Sequence, residues 1–345
     1  MRPIQRSEKR LFSTPMKRNK RVLIILPAIG IGDVVWAKPW IDEAIQSKEV
    51  FLMTKPTSFA EVVFHEHQNL NHIILDRSKR GERGMHDGLS GFFKLIGEIK
   101  RISPQEVWIL HKSWRYAAAA RLASISRCFG YGMGAQNLFL TERGILKTSD
   151  NGIHPRQAIS LLMAARGIKP PDDHPKIRPL KRKATSSSEF LRSGKPIIFM
   201  GVGATTADRR WDPNHFSILV EQLIIEFPKC QIILCGSKNE SHIGDQIFSK
   251  ISGQKDRVDL IFNSPLEDVI CLLQLSDLYV GNDSGLINLA AGVGLNCIRI
   301  YASSLPVLES KLIKSARSSN LVDNRDINSI EPETVLNLTL EALRS

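Results

Sequence analysis

The chain has little cysteine, no long apolar run and no closely spaced aspartate pair, and each shortage narrows what it can be. Its five cysteines, at 128, 230, 235, 271 and 297, form no C-x-x-C, and three lie in apolar runs. They read as reduced core residues of a cytosolic protein, not as a disulfide frame. The longest uncharged stretch near the start, Val22 to Gly32, is broken by Pro27 and stops at Asp33. That is well short of the roughly 20 apolar residues a membrane helix needs. The basic N-terminus leads into a strand pattern, without the apolar segment and small-residue cleavage site of a secretory leader, so none is expected. No two aspartates are separated by a single residue, which removes the D-x-D clamp for a divalent cation. Apolar residues at 42% and charged residues at 24% of 345 are ordinary, which excludes disordered, collagenous and membrane classes.

A net charge of +12 is present, but it is concentrated. Residues 1–21 hold eight Lys or Arg and one acid, and residues 176–195 hold seven and one. Together these segments account for all of the excess, leaving the remainder close to neutral. A nucleic-acid reader carries its charge along a structured face, so no nucleic-acid partner is expected. A basic tail suits an anionic membrane surface or anionic glycolipid; the alternative is a solvated terminus without a partner.

After the tail, short apolar runs alternate with helical patterns, the mark of βα units and a mostly parallel sheet. Val22–Leu26, Val50–Met53, His72–Leu75 and Val107–Leu110 read as strands. Asp33–Gln46, Leu89–Ile102, Ala117–Ile125 and Pro155–Arg166 read as helices. Lys169–Lys195, rich in Pro, Ser and basic residues without apolar periodicity, reads as a linker. The pattern restarts at Pro196. Strands are expected at Ile197–Met200, Gln231–Leu234, Leu260–Phe262, Leu278–Val280 and Cys297–Ile300. Helices are expected at Pro213–Phe227, Ser241–Ile251, Leu266–Leu275 and Leu286–Val293, with a last one at Pro332–Leu343. The division is a basic tail (1–20), a first domain (21–168), the linker (169–195), a second domain (196–330) and a C-terminal helix (331–345). Two doubly wound α/β domains facing a cleft follow, with ligands beyond the carboxyl ends of the strands.

Three strand-end loops carry chemistry. Pro27-Ala-Ile-Gly-Ile-Gly-Asp33 offers G-x-G, but the third glycine of a dinucleotide fingerprint would fall at Val35. The second strand also ends in Thr54-Lys55 without the expected acid. No nicotinamide or flavin cofactor is therefore expected. Asp33 at the helix start is either an N-cap or a carboxylate able to act as general base. Gly201-Val-Gly-Ala-Thr-Thr-Ala-Asp-Arg-Arg-Trp211 gathers two hydroxyls and two guanidiniums suited to phosphate oxygens. Val280-Gly-Asn-Asp-Ser-Gly-Leu-Ile-Asn-Leu-Ala-Ala291 runs a strand through small residues into a helix whose N-terminus would accept a diphosphate. Asp283 would repel phosphate; it suits a ribose or sugar hydroxyl, or the loop's own backbone. Two further segments carry less weight. Phe64-His-Glu-His67 is not H-E-x-x-H and reads as a surface helix end, and His111-Lys-Ser-Trp-Arg115 is a structural loop or an anionic-acceptor contact.

In order and spacing, over about residues 21–315, these loops resemble the ADP-heptose:lipopolysaccharide heptosyltransferases of glycosyltransferase family nine. Gly-Ile-Gly-Asp-Val-Val (30–35), including Gly32, is similar to that family's G-D-V/I motif. The Gly203-Ala-Thr-Thr to Trp211 segment is similar to its G-A…K-R/H-W, and Asp283 to Ala291 to its D-[ST]-G-x-x-H-L-A-A. Arg209 stands where the family usually has Lys, Asn288 where it has His, and Tyr301-Ala-Ser-Ser304 where it has Phe-Gly. The resemblance implies a GT-B fold, with an acceptor-side first domain and a nucleotide-sugar-binding second domain. It implies an inverting, metal-independent transfer of a sugar, heptose from ADP-heptose, to a lipopolysaccharide core or related glycan. Asp33 would be the base, with Gly32, Thr205, Thr206, Arg209, Arg210, Asp283, Ser284, Gly285 and Asn288 binding substrate. The protein would be cytoplasmic, peripheral on the inner membrane. The alternatives are a nucleotide-sugar epimerase of the same fold, or a non-catalytic homologue that binds sugar nucleotide or glycolipid.

Overall fold

In the computed structural model, two parallel sheets, one from each half of the chain, are joined by helices that pack against each other between them. The structure describes residues 20–27, 30–77, 83–142, 144–146, 153–172, 174–180, 195–302, 310–317 and 326–344. The basic tail up to residue 19 and linker residues 181–194 lie outside the described residues, as do residues 303 and 304.

The first half runs β1 (Lys20–Leu26), α1 (Ile31–Ser47), β2 (Lys48–Thr54), α2 (Ala60–Val63), β3 (Asn71–Ile74), α3 (Gly88–Ile102), β4 (Glu106–Ile109), α4 (Trp114–Leu122), β5 (Arg127–Gly130) and α5 (Pro155–Ala165). The second runs β6 (Ile197–Gly201), α6 (Pro213–Glu226), β7 (Gln231–Gly236), α7 (Ser241–Lys250), β8 (Val258–Phe262), α8 (Leu266–Leu275), β9 (Leu278–Asn282), α9 (Gly285–Gly292), β10 (Cys297–Ile300), β11 (Ile313–Ala316) and α10 (Pro332–Arg344). The strands that carry the cores, such as Val22–Leu26 and Ile197–Gly201, are apolar along their length and buried on both faces. A parallel sheet covered by helices on each side requires that.

The sheets order as β3-β2-β1-β4-β5 and β11-β10-β9-β6-β7-β8. Strand order reverses between β1 and β4 in the first and between β6 and β9 in the second. Such switch points open crevices for ligands at the carboxyl edge, and the three chemistry-bearing loops leave β1, β6 and β9 there. At the second switch point, Gly201 and Gly281 are register partners. A Cβ on Gly281 would lie 2.3 Å from the Gly201 carbonyl oxygen, so this close approach requires glycine.

One apolar core continues from the first sheet to the second, through Val34, Val35 and Ala37 of α1 and Ile287, Ala290 and Ala291 of α9. The segment expected as a bare linker contributes to it. Ile177 is buried and its N–H donates to Gly292 O at 2.7 Å, while the His174 ring lies 3.2 Å from Ala291 O. All five cysteines are free and buried; burial pushes the Cys128 and Cys235 thiols up to about 12. The helix expected from Ala117 begins at Trp114 and ends three residues early, before Ser124 at a φ of 64°. The edge strands β5 and β11, with sequences RCFG and IKSA, are additions to the expected set.

Candidate functional site

Asp33 is the third residue of α1. The N-cap position belongs to Gly30, whose extended backbone opens the helix without a side-chain cap, so the carboxylate is not spent on capping. Burial raises its pKa, and no cation or hydrogen-bond donor among the described residues offsets that effect. Burial, and then the negative charge of Asp33, push the nearby Tyr131 hydroxyl well above its ordinary range. Gly32, one residue earlier, lies against the first turn of α9. A Cβ there would come within 2.7 Å of Asn288 Nδ2 and 3.3 Å of Gly285 Cα, and one on Gly285 within 2.6 Å of Ile31 Cγ2. Only glycines allow the two helix starts, one from each half of the chain, to touch in this way. Asp33 therefore sits beside the N-terminus of α9.

That terminus is capped by Ser284, whose hydroxyl accepts from the Leu286 N–H at 3.3 Å. The free N–H groups of the first turn and the helix dipole make it an anion-binding position. Asp283 precedes the cap and lies between two guanidiniums. Arg209 Nη1 is 3.9 Å from one of its oxygens and Arg299 Nη1 3.7 Å from the other. Arg209 is exposed, on a 3-10 turn (Ala207–Arg209) following exposed Thr205 and Thr206. Arg299 is buried on β10, donates from Nε and Nη2 to Ser315 Oγ at 3.1 and 2.7 Å, and lies over the Tyr301 ring. His154 caps α5, its Nδ1 accepting from Arg156 N–H at 3.2 Å. Burial, then Arg156, lower its pKa; Asp283 pulls the other way and Arg299 adds to the lowering. The α5 start therefore belongs to the same cleft.

The loop after β6 is held rigidly to the end of β9. Asn282, fully buried, donates from Nδ2 to Val202 O at 2.8 Å and accepts on Oδ1 from Trp211 N–H at 3.1 Å. The Trp211 indole donates to Ile330 O at 2.8 Å.

The sequence profile of "Glycosyltransferase family 9 (heptosyltransferase)" matches residues 93–334, more than half of the chain. The chain belongs to glycosyltransferase family 9. Lipopolysaccharide heptosyltransferase 2 of Salmonella typhimurium is 24% identical over 245 residues, covering 66% of this chain and 70% of that protein. The solved ADP-heptose lps heptosyltransferase II of E. coli superposes with a TM-score of 0.74 at 18% identity, over 94% of this chain and 98% of that one. E. coli heptosyltransferase WaaC with ADP-2-deoxy-2-fluoro heptose gives 0.64 at 19% identity, over 93% and 99%. The fold is GT-B, and the protein is a glycosyltransferase. The epimerase alternative is set aside.

In this family 9 transferase, Gly32, Asp33, Arg209, Asp283, Ser284, Gly285 and Asn288 converge on one cleft, with Thr205 and Thr206 on its exposed loop. Arg210 does not join them. Its Nε donates to Ala204 O at 2.9 Å and its Nη2 lies 3.8 Å from Glu240, so it braces the loop from behind. Asn282, Arg299, His154 and Tyr131 escaped the sequence reading; only Asn282 carried a signal, as the polar residue that ends strand β9 directly before Asp283. The Phe64–His67 segment is half-buried, not a surface helix end. Asp42, Glu66 and His67 converge there at metal-ligand spacing, but the buried Lys38 ammonium stands among them, 3.0 Å from Asp42 and 2.5 Å from Glu66. The His111 loop is built by Gln136, which donates to His111 O at 2.8 Å. Burial, then Lys112, Lys55 and Arg77, bring the His111 pKa down to about 4, so this loop lies in a positive rim on the carboxyl edge of the first sheet. Among the described residues no helix is long and apolar enough to cross a membrane.

Proposed function

We propose that this transferase moves heptose from ADP-heptose, with inversion, to a lipopolysaccharide core intermediate or related glycan, with Asp33 as general base. The observation that carries the reading is the half-buried carboxylate of Asp33 beside the anion-binding start of α9. The similarity to the Salmonella lipopolysaccharide heptosyltransferase 2 and the E. coli ADP-heptose lps heptosyltransferase II supports the donor and acceptor class. Asp33 takes the proton of an acceptor hydroxyl as its oxygen attacks the anomeric carbon, and the bond from that carbon to the diphosphate oxygen breaks. The α9 N-terminus, Ser284, Gly285, Thr205, Thr206 and Arg209 hold the leaving diphosphate, whose charge grows in the transition state. Asp283 keeps Arg209 near that position until the diphosphate competes for the guanidinium. Asn288 and Gly32 border the transferred sugar. The acceptor lies over the first sheet, where Lys112 and its neighbours suit an anionic glycolipid, and the enzyme works peripherally on the cytoplasmic face of the inner membrane. Incubation with a panel of nucleotide sugars and a heptose-deficient core acceptor tests this. ADP-heptose should give stoichiometric ADP release and a heptosylated acceptor. Release from a different nucleotide sugar alone would overturn the donor assignment, and ADP-heptose binding without release from any donor would point to a non-catalytic homologue.

A further inference from the structure

The first turns of α3 and α4 leave the same carboxyl edge of the first sheet as Asp33, and they expose large apolar side chains where a solvated surface would keep few. Leu89 is 79% exposed, Phe93 68%, Trp114 50% and Met85 47%. Leu89 and Phe93 are four residues apart and share one face of α3. The two helix starts are tied together. Arg115 donates to His86 O at 3.0 Å and Gly88 O at 2.7 Å, and its guanidinium lies 4.8 Å from the centre of the Phe92 ring. Phe92 and Phe93 are neighbours, and Trp114 stacks on Phe139 with ring centres 5.9 Å apart. Arg115, next to Trp114, thus brings the exposed apolar groups of the two helix starts to one edge of the sheet, as a rim.

Among the described residues, the exposed charge at the margin of the rim has one sign. Arg83, Lys94 and Lys112 are exposed at its margin. The acids of the same region are engaged internally: Asp76 accepts from Met85 N–H at 2.7 Å, Asp87 pairs with Arg77 at 3.1 Å, and Glu98 lies 3.1 Å from the buried His86. Exposed Leu, Phe, Met and Trp edged by cations have the composition of a surface that settles into the headgroup layer of an anionic bilayer. Apolar area drives such insertion, and each basic residue near the lipid adds to the attraction. A protein partner would not call for margin charges of a single sign unless it were acidic.

We propose that this rim is a docking surface for an anionic phospholipid bilayer, presenting the acceptor side of the cleft to the membrane. The inference rests on the reading of the acceptor as a membrane glycolipid. The first described residue, Lys20, opens β1 on the amino edge of the sheet, opposite the rim.

The test uses the full chain with phosphatidylethanolamine vesicles, with and without phosphatidylglycerol. The parent should co-sediment with the anionic vesicles, and brominated lipid should quench its tryptophan emission. Trp114→Phe should lose most of that quenching. The double variant Leu89→Ser/Phe93→Ser should partition at least about tenfold more weakly, since two large apolar groups no longer enter the lipid. Arg83→Glu/Lys94→Glu, which leaves the apolar contacts intact, provides a second variant if the first fails to melt as a folded protein, and it should also bind anionic vesicles more weakly. Unchanged vesicle binding in both variants would assign binding to the tail and overturn the proposal. So would a parent that ignores vesicles, quenching that persists in Trp114→Phe, or a parent dimer that Leu89→Ser/Phe93→Ser converts to monomer. Heptosyl transfer to a delipidated acceptor is measured in parallel. Its absence in the parent, with rim-dependent vesicle binding intact, would strike the functional reading alone.

Discussion

Asp33 is a half-buried acid whose charge no group among the described residues neutralises, and its chemistry follows from that. Burial favours the neutral acid, so the folded protein holds the proton to a higher pH than the unfolded chain does. If the ionised form is the base, kcat/KM should fall on the acid side with a midpoint raised above the ordinary aspartate value, as one proton binds. A pH–rate profile flat down through that value would remove Asp33 from the rate law. Arg209 differs: it is exposed and only loosely paired with Asp283, so it is available to an incoming diphosphate. Arg209→Ala should weaken ADP binding about tenfold, the scale of one charge-assisted hydrogen bond. Unchanged affinity by titration calorimetry would exclude it from the donor site. Of these residues, Asp33, Arg209 and Asp283 were legible because glycine, hydroxyl and guanidinium groups clustered at strand ends have few structural uses. His154 and Arg299 were not. One looks like any helix cap and the other sits inside the apolar-flanked strand Cys-Ile-Arg-Ile, so only the fold brings them to Asp283.

At the scale of elements, apolar strands alternating with helices announced both sheets, and the restart at Pro196 announced the second. Strands β5 and β11 were hidden because edge strands of four residues, such as Ile-Lys-Ser-Ala, bury too little to show a pattern. Arg209 and Arg210 look alike in sequence; the 3-10 turn leaves Arg209 near Asp283 while Arg210, just past its end, reaches Ala204 O and Glu240. The pairing of β6 with β9 sets the spacing of both donor loops, and Gly281 permits it. Gly281→Ala would drive a methyl group into backbone atoms of Gly201 that cannot rotate aside. It should cost about 1–3 kcal/mol of stability and weaken ADP binding by misaligning the loops. A variant with the parent's melting temperature and ADP affinity would contradict this account of the switch point.

For the whole molecule, the contact of α1 with α9 matters most, since one apolar core runs through it from sheet to sheet. Two halves joined in this way should melt together, in a single calorimetric transition. If the second half binds ADP as proposed, ADP should raise that one transition, as binding to the folded state requires; two transitions with only one moved by ADP would mean that the halves are independent. The linker reading missed this unity, because Ile177 is an isolated apolar residue flanked by Lys176 and Arg178 in a basic, proline-rich stretch, and its partner Gly292 is distant in sequence. The claim that joins fold to function is that Asp33, set against α9, removes the acceptor's proton. Asp33→Asn keeps the shape and removes the buried charge, so its melting temperature at neutral pH should equal or exceed the parent's, with any gain fading as pH falls and the parent's acid protonates. Its amide cannot take the proton, so heptosyl transfer from ADP-heptose should fall about 10²–10⁴-fold with ADP affinity unchanged. Transfer by Asp33→Asn at near the parent rate would contradict the account.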